Sequence, residues 1–304
     1  MTTKGLSLYA VWVPNAGNLQ SWNQCSLLNV GDVTALTDTR DNMVYAVAKL
    51  KDNNCWMIEN LRLDNQYTTS SADIAKSQGY NSSFIGLADP ENTLNWNTST
   101  VANSLYSTDG TTSAPAITGS STGYRFPRYN NQNTATPSTN MTAWNNNSNT
   151  YSVGNWYNWP AAIADTSYYY SNNQTIANTS ICPTGWKLPS GGNSSNATNS
   201  DFWKLGLGIM GFAPSNNSYY QSSETNSQGK NGTQAYRSYP NNFLYSGGFS
   251  SGSPYNRGSG GYYWSSTVSY NLGSYYLYLG SSYVSPGTDS NYKNFGRSIR
   301  CLAR

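Results

Sequence analysis

The chain of 304 residues contains no histidine. Without an imidazole it cannot use a Ser–His or Cys–His pair, bind zinc through histidine, or use histidine as a general base. Acidic residues are also scarce in the C-terminal half, where they are Asp165, Asp201, Glu224 and Asp289. No two of them form an evident catalytic pair, so we predict that the protein is not an enzyme.

Charge of either sign is rare, since charged residues make up 10% of the chain against about 25% in a typical soluble domain. The net charge of +3 is small and scattered, which predicts no nucleic-acid partner. The sequence has no apolar run of about 18 residues, so we predict no direct membrane insertion by this segment. Residues 1–4 do not resemble a signal peptide, and we expect the natural protein to be longer at this end.

Aromatic residues, in contrast, are abundant, with 26 Tyr and 10 Trp. Disordered chains lack such residues, so the chain is predicted to fold, and Asn, Ser, Thr and Gly replace charge as the source of solubility. The clearest predicted helix covers residues 200–210, with Phe202, Leu205 and Ile209 on one face and Ser200 or Asn199 as its cap. A short helix is also predicted at residues 70–76.

The four cysteines, Cys25, Cys55, Cys182 and Cys301, are too far apart for a C-x-x-C zinc or redox motif. An even number of widely spaced cysteines in so polar a chain indicates an exported protein with disulfides. Three pairings are possible, and we favour Cys25–Cys55 with Cys182–Cys301, one pair in each half. The alternative is four buried free thiols.

The C-terminal residues 260–304 combine Tyr with Ser, Asn and Gly, a mixture that antibody paratopes also use. Residues 274–279 alternate with the period of a strand. We expect one face, with Tyr275, to be core, and the opposite face to meet solvent and bind a ligand. The predicted core residues of this region are Trp264, Leu277, Leu279 and Ile299. The predicted ligand-binding residues are Val268, Ser269, Tyr270, Asn271, Tyr276, Tyr278, Gly280, Tyr283, Ser285, Asp289, Asn291, Tyr292 and Phe295.

Four sequence blocks stand out between long polar stretches. They are an opening with Asp38, Arg40, Asp41, Tyr45 and residues 55–61 (CWMIENL), then residues 156–162 (WYNWPAA), residues 182–190 (CPTGWKLPS), and residues 263–267 (YWSST) with residues 298–301 (SIRC). In this order they resemble the Fibrobacter succinogenes major paralogous domain over about residues 22–304. Where that family usually has a large apolar residue before the serine of the last block, this chain has Arg297.

The resemblance implies a C-type-lectin-like fold of the α+β class, with short strands, few helices and long loops, similar to formylglycine-generating enzymes and to the variable proteins of diversity-generating retroelements. Residues 5–12 resemble the closing strand of a Listeria–Bacteroides repeat. We therefore expect residues 1–20 to be the end of an upstream surface repeat plus a linker, and residues 21–304 to be a single domain. The enzymes of this fold use a copper-binding cysteine pair, but here the cysteines belong to structural blocks, so no cofactor is predicted.

A metal site is not predicted either. Residues 89–92 could ligate calcium in principle, but they lie far upstream of the position of paired lectin motifs, and no tryptophan–asparagine–aspartate motif follows. Two functions from different classes remain. The first is a monomeric bacterial cell-surface or extracellular module that binds a protein or glycan through residues 268–295, a segment whose composition also suits retroelement diversification. The second is a structural spacer of the cell envelope without a specific ligand.

Overall fold

The computed structural model describes residues 15–39, 43–61, 156–163, 174–193, 197–250, 253–256, 258–293 and 295–304. Within these residues strands predominate and helices are few, so the class is α+β, as the sequence predicts. The resemblance at residues 5–12, the helix predicted at residues 70–76 and the calcium candidate at residues 89–92 lie outside the described residues.

The first sheet has six strands in the order β1–β2–β3–β4–β12–β5. Its strands are β1 (Asn15–Asn18), β2 (Val33–Asp38), β3 (Met43–Lys49), β4 (Cys55–Met57), β5 (Trp186–Lys187) and β12 (Leu302–Ala303). Strand β1 pairs in parallel with β2, and Leu19 after it is fully buried. Residues 15–18, which precede the predicted domain start at residue 21, thus form a strand of this sheet.

The second sheet has four strands in the order β6–β11–β10–β9. They are β6 (Tyr220–Gln221), β9 (Gly261–Tyr270), β10 (Gly273–Leu279) and β11 (Tyr283–Tyr292), and a separate hairpin is formed by β7 (Gly248–Ser250) and β8 (Ser253–Tyr255). Strands β9, β10 and β11 are consecutive antiparallel neighbours. The C-terminal segment, residues 260–304, thus supplies three of the four strands of this sheet.

The described helices are α1 (Trp159–Ile163), α2 (Asp201–Met210) and α3 (Gly232–Arg237). Helix α2 confirms the sequence prediction: Ser200 caps it by accepting a hydrogen bond from the Trp203 backbone N–H, and Gly211, with φ +84°, ends it. Helix α3 lies in residues 213–259, where the sequence analysis predicted only a polar loop. Its capping box, Asn231 with Gln234, is the local signal that was overlooked.

Both faces of the second sheet are covered by buried side chains. One face, with Tyr263, Leu277 and Leu279, packs against α2 and α3. The opposite face, with Trp264 and Tyr276, joins a cluster that extends into the first sheet. The predicted core residues Trp264, Leu277, Leu279 and Ile299 are all fully buried, which confirms them. The expectation that the opposite face is open to solvent is wrong at Tyr276, since Tyr276 is only 8% exposed.

The two disulfides are Cys25–Cys55 and Cys182–Cys301, with sequence separations of 30 and 119 residues. This confirms the favoured pairing and excludes four free thiols. Disulfides are typical of oxidising, extracellular environments. Among the described helices, none is both long and apolar enough to cross a membrane.

Arg300, next to the second disulfide, is fully buried. Its guanidinium donates hydrogen bonds to Asn60 Oδ1 at 2.5 Å and to the backbone oxygens of Met57 at 3.2 Å, Asn241 at 3.3 Å and Asn242 at 2.5 Å. All three guanidinium nitrogens therefore have acceptors, and the side chain joins the C-terminal segment to the end of β4 and to the loop after α3.

Candidate functional site

Eight aromatic side chains form one continuous line along the second sheet and its margin. Neighbouring ring centroids are 4.8–6.4 Å apart, the range in which aromatic rings interact favourably. We call this line the aromatic row. Its members, in spatial order, are Tyr219, Tyr283, Tyr278, Tyr262, Tyr255, Phe295, Tyr292 and Tyr270.

Strand pairing produces the centre of the row. Tyr278 on β10 lies directly opposite Tyr262 on β9, and paired residues of an antiparallel sheet point to the same face. Their ring centroids are 5.1 Å apart. Glycine makes room for the rings, because a Cβ at Gly280 would collide with the Tyr278 ring and a Cβ at Gly273 would collide with the Tyr270 ring. The row thus depends on small residues beside large ones.

The row is partly open to solvent. Tyr270 is 40% exposed and Tyr292 is 51% exposed, while Tyr278, Tyr283 and Phe295 are half-buried. These five predicted binding residues are thus brought together in one surface. Asn271 is exposed at its end, and Asp289 and Asn291 are half-buried on β11.

Other predicted binding residues lie inside the protein. Val268 and Ser285 are fully buried, Gly280 lies under the Tyr278 ring, and Ser269 is 7% exposed. Tyr276 contacts the Trp264 ring on one side and the Arg297 guanidinium on another. The sequence alternation predicts which residues share a face of the strand, but it does not show that the face with Tyr276 is covered by buried side chains. Val268, Ser269, Tyr276, Gly280 and Ser285 are therefore not part of the candidate surface.

Asp289 is the acidic group of the surface. The Tyr283 hydroxyl donates to its carboxylate at 3.3 Å, and its own backbone N–H donates to Ser285 Oγ at 2.9 Å. Burial raises the pKa of Asp289, and the hydrogen bond from Tyr283 opposes that shift. Burial together with the Asp289 charge also raises the pKa of Tyr283. The Tyr283 phenol therefore stays a neutral hydrogen-bond donor at physiological pH.

Arg297 lies beneath the row and is fully buried. The carbon at the centre of its guanidinium is 3.6 Å from the centroid of the Tyr276 ring and 4.9 Å from that of Tyr262. It is also 4.8 Å from the centroid of Trp264 and 5.8 Å from that of Phe295. Its three nitrogens have no hydrogen-bond partner. Arg297 thus occupies an aromatic box with its hydrogen-bonding capacity unused.

Four of these side chains were missed by the sequence analysis as binding residues. Tyr255 and Tyr219 lie in residues 213–259, for which the sequence predicts a polar loop, and Tyr262 adjoins the block of residues 263–267. Arg297 carried a signal, since it departs from the apolar residue that the resembled family usually has at that position. A positive charge at an interior position is the kind of departure that marks a site.

Within the described residues no three Asp, Glu or Cys side chains come close enough to hold a metal ion. Two of the cavities lined by described residues are a space of about 200 Å³ beside Lys51 and Tyr239 and one of about 290 Å³ beside Lys187 and Arg304. In the second cavity the Lys187 ammonium is paired with Asp201 at 2.9 Å. Neither cavity brings together groups that indicate catalysis.

Comparisons with known proteins return no match of any kind. No protein-family model matches the chain, and neither a curated protein nor a solved structure is significantly similar to it. The resemblance to the Fibrobacter succinogenes major paralogous domain therefore stays a prediction, and the function must be argued from the chain itself.

Lys293 connects the end of the row to the interior. It is fully buried, its Nζ donates to the Asn271 carbonyl oxygen at 2.9 Å, and it lies 4.7 Å from the Trp159 ring centroid. Burial lowers the pKa of Lys293 to about 7. The unfolded chain, with an ordinary lysine pKa of about 10.4, binds this proton more strongly than the folded protein does.

The stability of the protein should therefore rise with pH. Between about pH 7 and pH 9.5 the unfolded state holds the Lys293 proton and the folded state releases it, which adds up to about 3 kcal/mol to the unfolding free energy. Above about pH 10 the unfolded tyrosines ionise and the trend reverses. Thermal unfolding measured across this range should show the rise, and Lys293→Met should remove most of it. A rise of equal size in the variant would contradict this assignment.

Proposed function

We propose that the protein is a ligand-binding module of the bacterial cell surface, and that the aromatic row is its binding surface. The observation that carries this proposal is the row itself: eight aromatic side chains in unbroken ring contact along the second sheet and its margin, several of them half-exposed. Such side chains give large contact areas with little loss of conformational entropy. In this proposal the domain has a C-type-lectin-like fold and acts as a monomer outside the cell.

The chemistry of the row supports a binding role. Tyrosine is enriched among the residues that dominate binding energies, and such residues cluster at the centre of an interface. Tyr283 and Asp289 add a donor and an acceptor beside the rings, and the exposed Asn271 adds a flexible amide at the end of the row. A protein or glycan ligand could pack against the apolar rings and form hydrogen bonds with the polar groups beside them.

The alternative is a structural spacer of the cell envelope. A spacer gains nothing from leaving Tyr270 and Tyr292 at 40% and 51% exposure, because burying them fully would stabilise it more. The binding proposal extends to retroelement diversification of residues 268–295. A neighbouring reverse transcriptase gene together with a near-copy of the 3′ end of the coding sequence would support that extension.

Substitution of the row tests the proposal. The double variant Tyr278→Ala, Tyr283→Ala removes two rings whose centroids are 4.8 Å apart, and it should weaken binding to ligands found on protein and glycan arrays at least ~10-fold, since anchor residues contribute about 2 kcal/mol or more. Tyr239→Ala is the matched control, because Tyr239 is 64% exposed but lies outside the row. If the double variant bound like wild type, or if wild type bound nothing on the arrays, the row would not be the binding surface.

A further inference from the structure

The unpartnered guanidinium of Arg297 is unusual for a fully buried arginine. An arginine side chain stays charged in proteins and carries five N–H donors. Here its Nε and both Nη atoms are buried and make no hydrogen bond. Removing such an ion from water has a large free-energy cost even after relaxation of the protein. The four aromatic rings around it offset part of that cost through cation–π attraction, but they satisfy none of its N–H donors.

Arg300 provides an internal comparison three residues further along the chain. It is equally buried, but all three of its nitrogens have oxygen acceptors. The same segment therefore satisfies one buried guanidinium completely and leaves the other without a hydrogen bond, with aromatic rings around it and the Asp289 carboxylate only within electrostatic range. A structural role explains Arg300 and does not explain Arg297.

The surroundings of Arg297 indicate which kind of group could accept hydrogen bonds from its guanidinium. The central carbon of its guanidinium lies 3.6 Å from the centroid of the Tyr276 ring, and the N–H donors of the group are unpaired. No described residue places a carboxylate or carbonyl oxygen within hydrogen-bond distance of those donors. A planar anion with two acceptor oxygens matches the fork of donors, and a carboxylate is such a group.

The unpaired N–H donors of Arg297 lie directly under the aromatic row. Phe295, Tyr255 and Tyr262 are row members, and Phe295 and Tyr262 also face the guanidinium. The Tyr255 and Phe295 ring centroids are 6.4 Å apart, the largest centroid separation between neighbouring rings of the row. Both side chains are half-buried, so they reach the surface as well as the interior. A group that reaches Arg297 from the surface would have to part these two rings, which contact each other edge to face.

We propose that Arg297 receives an aspartate or glutamate side chain of a protein ligand, which enters the row between Tyr255 and Phe295 and forms a bidentate ion pair. This inference rests on the proposed function and names the chemistry of its ligand. Because Arg297 is fully buried, the carboxylate must reach it on a slender, flexible stem. An acidic amino-acid side chain has such a stem, whereas the carboxylate of an acidic sugar is attached directly to a bulky ring.

Peptide selection tests the proposal. A random 12-residue peptide library is selected in parallel on immobilised wild-type protein and on Arg297→Met, and the enriched peptides are sequenced. Peptides from the wild type should be enriched in Asp or Glu relative to those from the variant. Changing the acidic residue of a selected peptide to its amide, Glu→Gln or Asp→Asn, should weaken binding to the wild type about 10- to 100-fold, the effect of a charge-assisted hydrogen bond.

The same amide change should have an effect of less than about 3-fold on Arg297→Met, because ligand acid and arginine act as a pair. Arg297→Lys should keep part of the preference for acidic peptides, since a point charge replaces the fork. Thermal unfolding is the folding control. Arg297→Met should be at least as stable as wild type, and a melting temperature lowered by more than about 5 °C would mean that Arg297 is structural and would overturn the proposal.

Other outcomes separate this inference from the proposed function. If selected peptides bind Tyr278→Ala weakly and bind Arg297→Met as tightly as wild type, the result would support the row as the binding surface and reject the proposed role of Arg297. Glycans are the second arm, with a glucuronic-acid-terminated oligosaccharide and its glucose-terminated analogue as probes. The protein could instead prefer the acidic glycan in an Arg297-dependent way and select no acidic peptides. That result would show that the carboxylate belongs to a glycan, and it would overturn the proposal of a protein ligand. No binding of peptide or glycan would reject both the row and the inference.

Discussion

Replacing Cys182 and Cys301 together by alanine is expected to lower the unfolding free energy by about 5 kcal/mol. The bond closes a loop with a sequence separation of 119 residues, and in the chain-entropy model a longer loop means a larger restriction of the unfolded chain. Both cysteines are also buried in the cluster that the two sheets share. Since domains are stable by about 5–15 kcal/mol in total, this change brings the protein close to unfolding.

The other disulfide is the matched control. Cys25–Cys55 has a sequence separation of 30 residues, for which the same model gives about 3.5 kcal/mol. Urea denaturation of the two double-alanine variants should therefore give the lower midpoint for the Cys182, Cys301 pair. The reverse order, or equal midpoints, would show that local strain or residual structure in the unfolded chain outweighs loop length.

Arg300→Met is expected to destabilise the protein by about 3–5 kcal/mol, because it leaves several buried acceptors without a donor and each costs about 1–3 kcal/mol. The acceptors are Asn60 Oδ1 and the carbonyl oxygens of Met57, Asn241 and Asn242. Methionine fills a similar volume, so little of the loss comes from a cavity. Thermal or urea unfolding measures the effect.

The contrast between Arg297 and Arg300 makes this prediction specific. Both arginines are fully buried and contact aromatic rings, and the same substitution is made at each. Arg300→Met should lose stability, whereas Arg297→Met should not. A similar loss at both positions would mean that ring contacts, and not hydrogen-bond acceptors, determine the contribution of these arginines to stability.

Local sequence patterns predicted helix α2, the disulfides and part of the core. The cap at Ser200 and the apolar face of residues 200–210 predicted α2, because these signals lie within one turn or one face of the helix. The favoured cysteine pairing, with one pair in each half, is confirmed, although the number of cysteines alone allowed three pairings. The alternation in residues 274–279 predicted correctly that Leu277 and Leu279 are core.

The same alternation could not show that the second sheet is covered on both faces. A period of two separates the faces of a strand but does not say what packs on each, and Tyr276 was therefore placed at the surface when it lies inside. Tyr219 and Tyr255 join the row only through packing between segments far apart in sequence, which no local pattern reports. Arg297 was visible as a departure from a family pattern, but its lack of acceptors is a property of the folded structure.

Strand β12 has a consequence for the order in which the chain can fold. It lies between β4 and β5 in the first sheet, so residues 302–303 join strands that are made far earlier. Until a ribosome has added them, the sheet is divided into two parts and Cys182 lacks its partner. The N-terminal strands therefore belong to an incomplete sheet until synthesis reaches the last residues of the chain.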